Sequence, residues 1–444
     1  MPRIEARIPS GESFRTMAIT QYSDAGQCVA STDAYVAGPQ VRWAFFAVVA
    51  SLPTEGVGLG IPVTAPRILG YVFFLLALLQ PRISFRLPPP AFWWFGVYVY
   101  LYAALTIFQP SEFWEEIMER VLTLVQLLAF LWIGCNLMRD PRVARGAILT
   151  LGLSSALCAL LQLSGLATDA TTEGTAAFGQ NANQVASIFS LGLLALVGLI
   201  FGRQGGAQAI GWWAWPLCAV LSVAIVQAGS RGGLLTVGFG VLVFLFDKGL
   251  PESKMRRALL VALGAAVLIG MSYFSEASRQ RWEAAFGAGD LAHREELYPT
   301  AWQMFIEKPV AGWGPVTALY ELGARTKYVR WSNPEELKRD THNLALHVLT
   351  ATGILGAVPF AVGMWLCVRA AWKARPGPQG VLPLAMMISL LVSNMSGDRI
   401  YLKFHWFVLA YALASWAQLS IQRAQPMALR SPQRWVVQPL ATRS

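Results

Sequence analysis

The chain has 444 residues, of which 55% are hydrophobic and only 14% are charged, whereas roughly 25% of the residues in an average soluble domain are charged. Its formal net charge is +10, but the basic residues lie mostly in the gaps between apolar runs, where they indicate membrane topology rather than nucleic-acid binding. The composition therefore excludes a soluble enzyme, a secreted disulfide scaffold and a disordered chain, and it predicts an all-α polytopic membrane protein.

The apolar runs follow a polar tail, residues 1–40, that has no pattern of a cleavable signal peptide. We predict about nine runs within residues 41–274, a long polar loop over 275–341, about three runs within 342–420 and a basic tail over 421–444. Because each run has about the 20 residues that a helix needs to cross a bilayer, about 12 transmembrane helices are expected. Their predicted starts lie near Val41, Arg67, Ala91, Ile117, Val143, Asn183, Ile210, Gly232, Ala258, Asn343, Gly380 and Tyr401.

The distribution of basic residues assigns the two faces of the membrane. Most of the 35 Lys and Arg residues lie in the two tails, in the long loop and in every second short gap, whereas the intervening short gaps hold few. Since cytoplasmic loops carry the excess of Lys and Arg, both termini are predicted to be cytoplasmic and the long loop, residues 275–341, to lie on the outer side.

The long outer loop contains an amphipathic stretch. Leu297, Ala301, Trp302 and Phe305 recur at helical spacing after Arg294. A proline and two glycines at positions 309, 312 and 314 end the pattern. We expect this helix to cap the outer mouth of the transmembrane bundle.

Chemistry must come from sparse polar residues, because the chain has no GxxxxGK, GxSxG, HExxH or paired CxxC motif. Arg231 lies in the sequence GSRGG, residues 229–233, between two apolar runs. The glycines allow close approach of a ligand to the backbone, and an arginine at a helix N-terminus suits a phosphate or pyrophosphate. The alternative is an interfacial arginine that snorkels to lipid headgroups.

His342 lies where the outer loop meets the tenth predicted span. Imidazole can accept a proton near neutral pH, so His342 is a candidate general base for a hydroxyl nucleophile, and the alternative is an interfacial histidine bonded to a backbone carbonyl. His347 does not share its helix face and is interpreted as structural. No two histidines have the spacing of metal ligands, so no metal is predicted.

Two further polar groups lie at the predicted outer ends of spans. Asn181 and Asn183 precede the sixth span, where an amide can bind sugar hydroxyls or cap the helix. Asp398 and Arg399 lie between the last two spans, as a structural ion pair or as substrate contacts. All of these residues, with Arg231, Arg294 and His342, fall on the predicted outer side, which indicates one polar site there.

Four sequence patterns, in order over about residues 178–360, resemble those of the O-antigen ligase and O-antigen polymerase superfamily. They are FGQNANQVA, GSRGG, R(x7)W(x6)PxxGxG from Arg294 to Gly314, and THN followed by Gly353 and Gly356. The resemblance implies a membrane fold of the GT-C glycosyltransferase type in the bacterial inner membrane. It further implies transfer of a glycan from undecaprenyl diphosphate to a sugar hydroxyl of lipid A–core, on the periplasmic side and with inversion.

By the pattern of the superfamily, Arg231 and Arg294 hold the donor diphosphate and His342 activates the acceptor hydroxyl. No metal, nucleotide or other cofactor is implied, and the expected partners are the two lipid substrates and membrane lipids, with the protein a monomer or a weak oligomer. The candidates for substrate binding are Asn181, Asn183, Asn343, Trp302, Asp398 and Arg399.

Several alternatives stay open at this point. Gln180 stands where relatives often have proline, which we expect to change the local turn and leave activity intact. The motifs barely separate a ligase from an O-antigen polymerase. The length leaves no room for the extra C-terminal domain common in protein O-oligosaccharyltransferases, which makes a protein acceptor less favoured. A non-catalytic transporter of lipid-linked sugars is expected to show inverted repeats, and a structural envelope protein is expected to tolerate loss of Arg231.

Overall fold

The fold was examined in a computed structural model of the chain. It describes residues 37–57, 64–171, 174–201, 212–246, 269–288, 294–326 and 338–429, together with the isolated positions 262, 264 and 266.

The described residues form a helical bundle with one small hairpin. The helices of the first half are α1 (Pro39–Ala50), α2 (Ala65–Leu78), α3 (Pro81–Ser84), α4 (Pro90–Leu105), α5 (Trp114–Leu137), α6 (Pro141–Leu163) and α7 (Ala182–Ile200). The hairpin strands are β1 (Thr168–Thr171) and β2 (Gly174–Ala177). The helices of the second half are α8 (Ala214–Gln227), α9 (Arg231–Leu242), α10 (Glu276–Ala288), α11 (Arg294–Glu307), α12 (Thr317–Arg325), α13 (Leu344–Ala374), α14 (Leu382–Asn394) and α15 (Lys403–Leu429).

The all-α character predicted from composition is confirmed in its essentials. Among the described residues, five helices are long and apolar enough to cross a membrane, and they contain α4, α5, α6, α7 and α13. Most predicted starts fall within a few residues of the observed ones, whereas the run predicted near Ala258 begins outside the described residues. The total of about 12 spans, the GT-C-type fold and the proposed division of the chain stay predictions.

The hairpin is a feature that the sequence did not predict. Strands β1 and β2 pair antiparallel, with Thr168 opposite Ala177, just before α7. Phe178 and Gly179 follow with positive φ angles of 56° and 66°. A Cβ on Gly179 would collide with the backbone oxygen of Gly56, so only glycine allows this close approach.

The core of the bundle is built from apolar side chains on every face of the central helices. α7 is buried along most of its length, and aromatic rings pack between the outer helices, as Phe95 does against Trp406 with ring centroids 5.3 Å apart. A helix that is hydrophobic all round suits a membrane or the centre of a large bundle. The bundle thus supplies a rigid base for the polar residues at its ends.

Helix α13 is bent where the outer loop crosses it. Gly353 interrupts the helix with φ 58° and ψ −160°. The Ile354 and Leu355 amides donate to the carbonyls of Pro309 and Val310 at 2.8 and 3.1 Å, and the Trp313 amide donates to Thr350 O at 2.8 Å. We call this contact between residues 309–314 and 350–355 the loop clasp. The glycines of the PxxGxG pattern are therefore required by packing, since a Cβ on Gly312 would lie 2.6 Å from Thr350 O.

The outer-loop helix begins at Arg294 as predicted, but its buried face differs in part. Leu297 and Ala301 are buried, together with Met304, whereas Trp302 is 49% exposed. The prediction placed Trp302 on the buried face because, in a short helix, the position of Trp302 relative to the other apolar residues is compatible with either face. The helix packs on α12 and on the start of α13 through this smaller cluster.

Candidate active site

Several of the predicted polar residues lie around the turn that joins α14 to α15. The carbonyl of Ser396 in this turn accepts from Nη2 of Arg294 at 3.4 Å. A Cβ on Gly232 would lie 2.6 Å from Ser396 Oγ, so the GSRGG segment reaches the same residue. Gly232 and Arg294, which are 62 positions apart in sequence, thus share one contact, and Gly232 is glycine because the two segments approach closely there.

Arg231 is the first residue of α9 and is half-buried. Ser230 precedes it and caps the helix, since its Oγ accepts from the Gly233 amide at 3.0 Å. The same hydroxyl donates to Oδ1 of Asn183 at 2.7 Å. Asn183, at the start of α7, therefore fixes the Arg231 segment.

Arg399 is buried beside Arg294. Its residue is only 2% exposed, and its Nε lies 3.4 Å from Ser393 Oγ. Within the described part of the chain, Arg399 Nη2 and Arg294 Nε are buried without a hydrogen-bond partner. Burial, with a smaller contribution from the charge of Arg294, lowers the pKa of Arg399 to about 10, against the carboxylates of Asp340 and Asp398, which raise it. Buried cationic donors without partners are costly, and an anion bound between them would satisfy both.

His342 lies at the entrance to α13 in a strained conformation. Its φ of 49° is in the left-handed region, which costs a non-glycine residue energy and is often found at functional sites. Nδ1 of His342 lies 3.6 Å from Oδ2 of Asp340, and its side chain is 40% exposed. The Tyr298 hydroxyl, which donates to Met395 O at 2.8 Å, also lies 3.3 Å from the His342 carbonyl. The imidazole is therefore held beside a carboxylate and accessible to a substrate.

His347 and Asp398 form a second pair behind His342. Nε2 of His347 lies 3.2 Å from Oδ2 of Asp398, and both side chains are nearly inaccessible. Burial raises the pKa of Asp398, and His347 lowers it in opposition. Asp398 is thus paired with His347 through a contact that the topology creates, and its carboxylate also lies near enough to Arg399 to raise the pKa of that guanidinium. An ion pair between Asp398 and Arg399 stays a prediction.

The residues that could hold a metal ion come from the same cluster. One ligand atom each from Asp340, His347 and Asp398 lie within 4.8 Å of one another. Imidazole and carboxylate ligands suit several divalent cations. The sequence could not indicate this group, because His347 and Asp398 are separated by 51 positions and only the fold joins them.

Two of the predicted substrate-binding amides have structural roles. Asn181 caps α7, with its Oδ1 accepting from the Gln184 amide at 2.9 Å. Asn343 caps α13, with its Oδ1 accepting from the amides of Ala345 and Leu346 at 3.0 and 3.2 Å. The capping alternative for Asn181 is therefore confirmed, whereas substrate contacts by Asn343 and by the exposed Trp302 stay predictions.

The sequence assigned no role to Asp340, and it indicated a structural role for His347 without naming a partner. His347 is only five residues beyond His342, yet it lies 1% exposed against Asp398. The signal in the sequence was an aspartate two residues before His342, a spacing that lets a carboxylate reach the imidazole. Nothing in the sequence indicated which span Asp398 would face.

Helices of this length and apolarity define a multi-pass membrane protein with a cationic, histidine-containing site at one end of its bundle. Residues 216–361 match the sequence model of the O-antigen ligase family. The chain is also 28% identical over 213 residues to the O-antigen ligase of Pseudomonas aeruginosa, a match that covers 46% of this chain and 47% of that protein. The chain thus spans about half the length of the curated relative that it matches.

These two findings support the O-antigen ligase superfamily and confirm the resemblance predicted from the motifs. The segment that matches the family contains Arg231, Arg294, His342 and the loop clasp. Asn183 and the Asp398–Arg399 turn lie outside that segment and are joined to it by the contacts described above.

Proposed function

We propose that the protein transfers a glycan from undecaprenyl diphosphate to a sugar hydroxyl of lipid A–core at the outer face of the bacterial inner membrane. The observation that carries this proposal is a pair of buried donors, on Arg294 and Arg399, that have no hydrogen-bond partner among the described residues. The accessible His342 contacts the turn after α14 through Tyr298. An anionic leaving group and a hydroxyl nucleophile are the two partners that such a site suits.

In this proposal Arg231, Arg294 and Arg399 bind the diphosphate of the donor. As the bond between the anomeric carbon and the diphosphate oxygen breaks, the electron pair leaves with the diphosphate, and the guanidinium groups stabilise the growing negative charge. Preformed cationic donors in a buried site need little reorganisation at that moment. The donor supplies the activation, so no nucleotide is needed.

His342 accepts the proton of the acceptor hydroxyl while its oxygen bonds to the anomeric carbon. Asp340, 3.6 Å from Nδ1, orients the ring and stabilises the imidazolium that forms. Attack opposite the leaving group inverts the anomeric centre. The site is proposed to face the periplasm with both termini cytoplasmic, in keeping with the distribution of basic residues.

The test uses purified protein, lipid-linked O-antigen and EDTA, with and without lipid A–core, and separates the products on a gel. His342→Asn is the informative variant, because asparagine tolerates the left-handed backbone at this position but cannot act as the base. We expect a ladder only with lipid A–core and a loss of at least about 100-fold in rate for His342→Asn. Arg279→Gln, an exposed position on α10, is the matched control.

Each of the other outcomes indicates a different function or a different mechanism. Longer lipid-linked chains without lipid A–core would indicate a polymerase. Transfer that stops with EDTA and returns with a divalent cation would assign the Asp340–His347–Asp398 group to a metal. Movement of the lipid-linked sugar without a new bond would indicate a transporter.

A further inference from the structure

A second charged region borders the turn that holds Arg399, since Tyr401 and Leu402 of this turn line it. It is a cleft of about 620 Å³ between α2 and α5. Two side-chain bridges span it: Arg67 Nη2 donates to Glu119 at 2.7 Å, and Gln126 Nε2 lies 3.4 Å from the Tyr71 hydroxyl. The cleft is thus a gap between two helices that side chains bridge, and Tyr71 in its lining is partly exposed.

One end of the cleft, called its mouth, is charged, and among the described residues there the cations outnumber the carboxylates. Arg67, Arg120, Lys338 and Lys403 line it, against three glutamates. Glu116 is shared, with Arg120 at 2.8 Å and Lys338 at 2.6 Å. One carboxylate cannot neutralise two cations, so this end attracts an anion, while the glutamates can accept hydrogen bonds from sugar hydroxyls.

The opposite end of the cleft is apolar. Phe74 on α2 and Leu127 and Phe130 on α5 line it. Arg120 and Phe130 are ten residues apart on one helix, which corresponds to about 15 Å along its axis. A site with a cationic mouth and an apolar wall of this length suits an amphiphile with an anionic sugar headgroup and acyl chains.

One side chain separates the cleft from the candidate active site. Tyr401 lines the cleft, with the guanidinium of Arg120 5.1 Å from the centre of its ring. Its ring lies edge-on to that of His347, with centroids 6.0 Å apart, and His347 contacts Asp398. The cleft therefore ends next to the cluster that contains His342 and Asp340.

We propose that this cleft is the acceptor site, and that it binds a phosphorylated glycolipid with its headgroup at Lys338 and Arg67 and its acyl chains along Phe74 and Phe130. This inference rests on the proposed ligase function. Arg294 and Arg399, which are assigned to the donor diphosphate, do not line the cleft. An inverting attack brings the nucleophile from the side opposite the leaving group, so the acceptor needs a site separate from that of the diphosphate.

Two variants test the two ends of the cleft. Gly70 lines the cleft, and a Cβ there meets no atom within 4 Å, so Gly70→Leu is chosen to add an apolar side chain to the cleft wall. Gly238→Leu on α9 is its matched control, because a Cβ there also meets nothing within 4 Å and the residue does not line the cleft. The double variant Arg67→Gln/Lys338→Gln tests the mouth, with Arg279→Gln as the control for charge.

Binding is measured by microscale thermophoresis with purified lipid A–core and with the same glycolipid after phosphatase treatment. Ligation rates give the KM for each substrate. We expect Gly70→Leu to weaken binding of lipid A–core at least about tenfold, with the donor KM unchanged. The double variant is expected to bind both glycolipids equally, because the preference for phosphate is lost.

The outcomes separate this inference from the proposed function. A raised donor KM with unchanged acceptor binding would overturn the acceptor assignment and make the cleft the donor site. Unchanged binding in both variants, in protein with a normal thermal unfolding profile, would also overturn it. If the wild type makes no ligated product but Gly70→Leu still loses glycolipid binding, the cleft assignment stands and the ligase proposal fails.

Discussion

Replacing Arg399 with methionine is expected to stabilise the substrate-free protein and to weaken donor binding. Methionine keeps much of the volume of the side chain and can adapt to irregular space, while it removes a buried charge that has an unpartnered donor. A residue that serves only the fold would show the opposite sign for stability. The variant therefore separates a binding role from a structural one.

The size of the effect follows from the burial of the guanidinium. Burial, with a smaller contribution from Arg294, lowers its pKa to about 10. One pKa unit corresponds to about 1.4 kcal/mol, so the charged form is disfavoured by about 3 kcal/mol relative to an ordinary value of about 12.5. Asp340 and Asp398 lose a favourable neighbour in the variant, so the net gain in the free energy of unfolding is expected to be about 1–3 kcal/mol.

The assay combines thermal unfolding without ligand and binding of undecaprenyl diphosphate. We expect the unfolding midpoint to rise by about 2–5 °C and the donor Kd to increase about 30- to 100-fold, because a charge-assisted hydrogen bond is lost. Arg279→Met, at an exposed ion pair, is expected to change neither quantity appreciably. A destabilised Arg399→Met protein with unchanged donor binding would refute the reasoning.

Two further predictions concern the backbone and the buried carboxylate. Gly353→Ala is expected to lower the free energy of unfolding by about 3 kcal/mol, because alanine is strained at φ 58° and its Cβ would collide with the backbone of Val310 in the loop clasp. Denaturant unfolding measures this change. An effect as small as that of Gly238→Ala would contradict the prediction. Burial raises the pKa of Asp398, so its carboxyl group binds a proton more tightly in the folded protein than in the unfolded chain. The contribution of Asp398 to the free energy of unfolding therefore falls as the pH rises above about 4. Asp398→Asn is expected to remove this loss of stability, which is measured as the unfolding midpoint of both proteins between pH 4 and 7. Parallel pH profiles for the wild type and the variant would count against the prediction.

The helical elements could be predicted because their signals are local. A run of apolar residues closed by Gly, Pro or basic residues marks a span, and Arg231 and Arg294 both begin helices as expected from the residues around them. The hairpin before α7 was not predicted, because its strands have four residues each and no strong alternation of apolar and polar residues.

The candidate site was predictable only in part. A charged residue near an apolar run is conspicuous by itself, which identified Arg231, Arg294 and His342. The partner of each depends on how the spans pack, so the contact of His347 with Asp398 and the approach of Gly232 to Ser396 carry no sequence signal. Asn181 and Asn343 show the opposite case, because their signal in the sequence was clear but its interpretation was incomplete. Both side chains cap a helix, a structural role that a polar residue at a helix start can have instead of substrate binding.

The loop clasp has a mechanical consequence. Residues 309–314 follow α11, which begins with Arg294, and they are bound to α13, which begins just after His342. A displacement of α11 must therefore move α13 with it. The distance between the guanidinium of Arg294 and the imidazole of His342 is thus held constant by the scaffold. A substitution in the clasp would lower the turnover rate from a distance, by changing that length while leaving every group at the site intact.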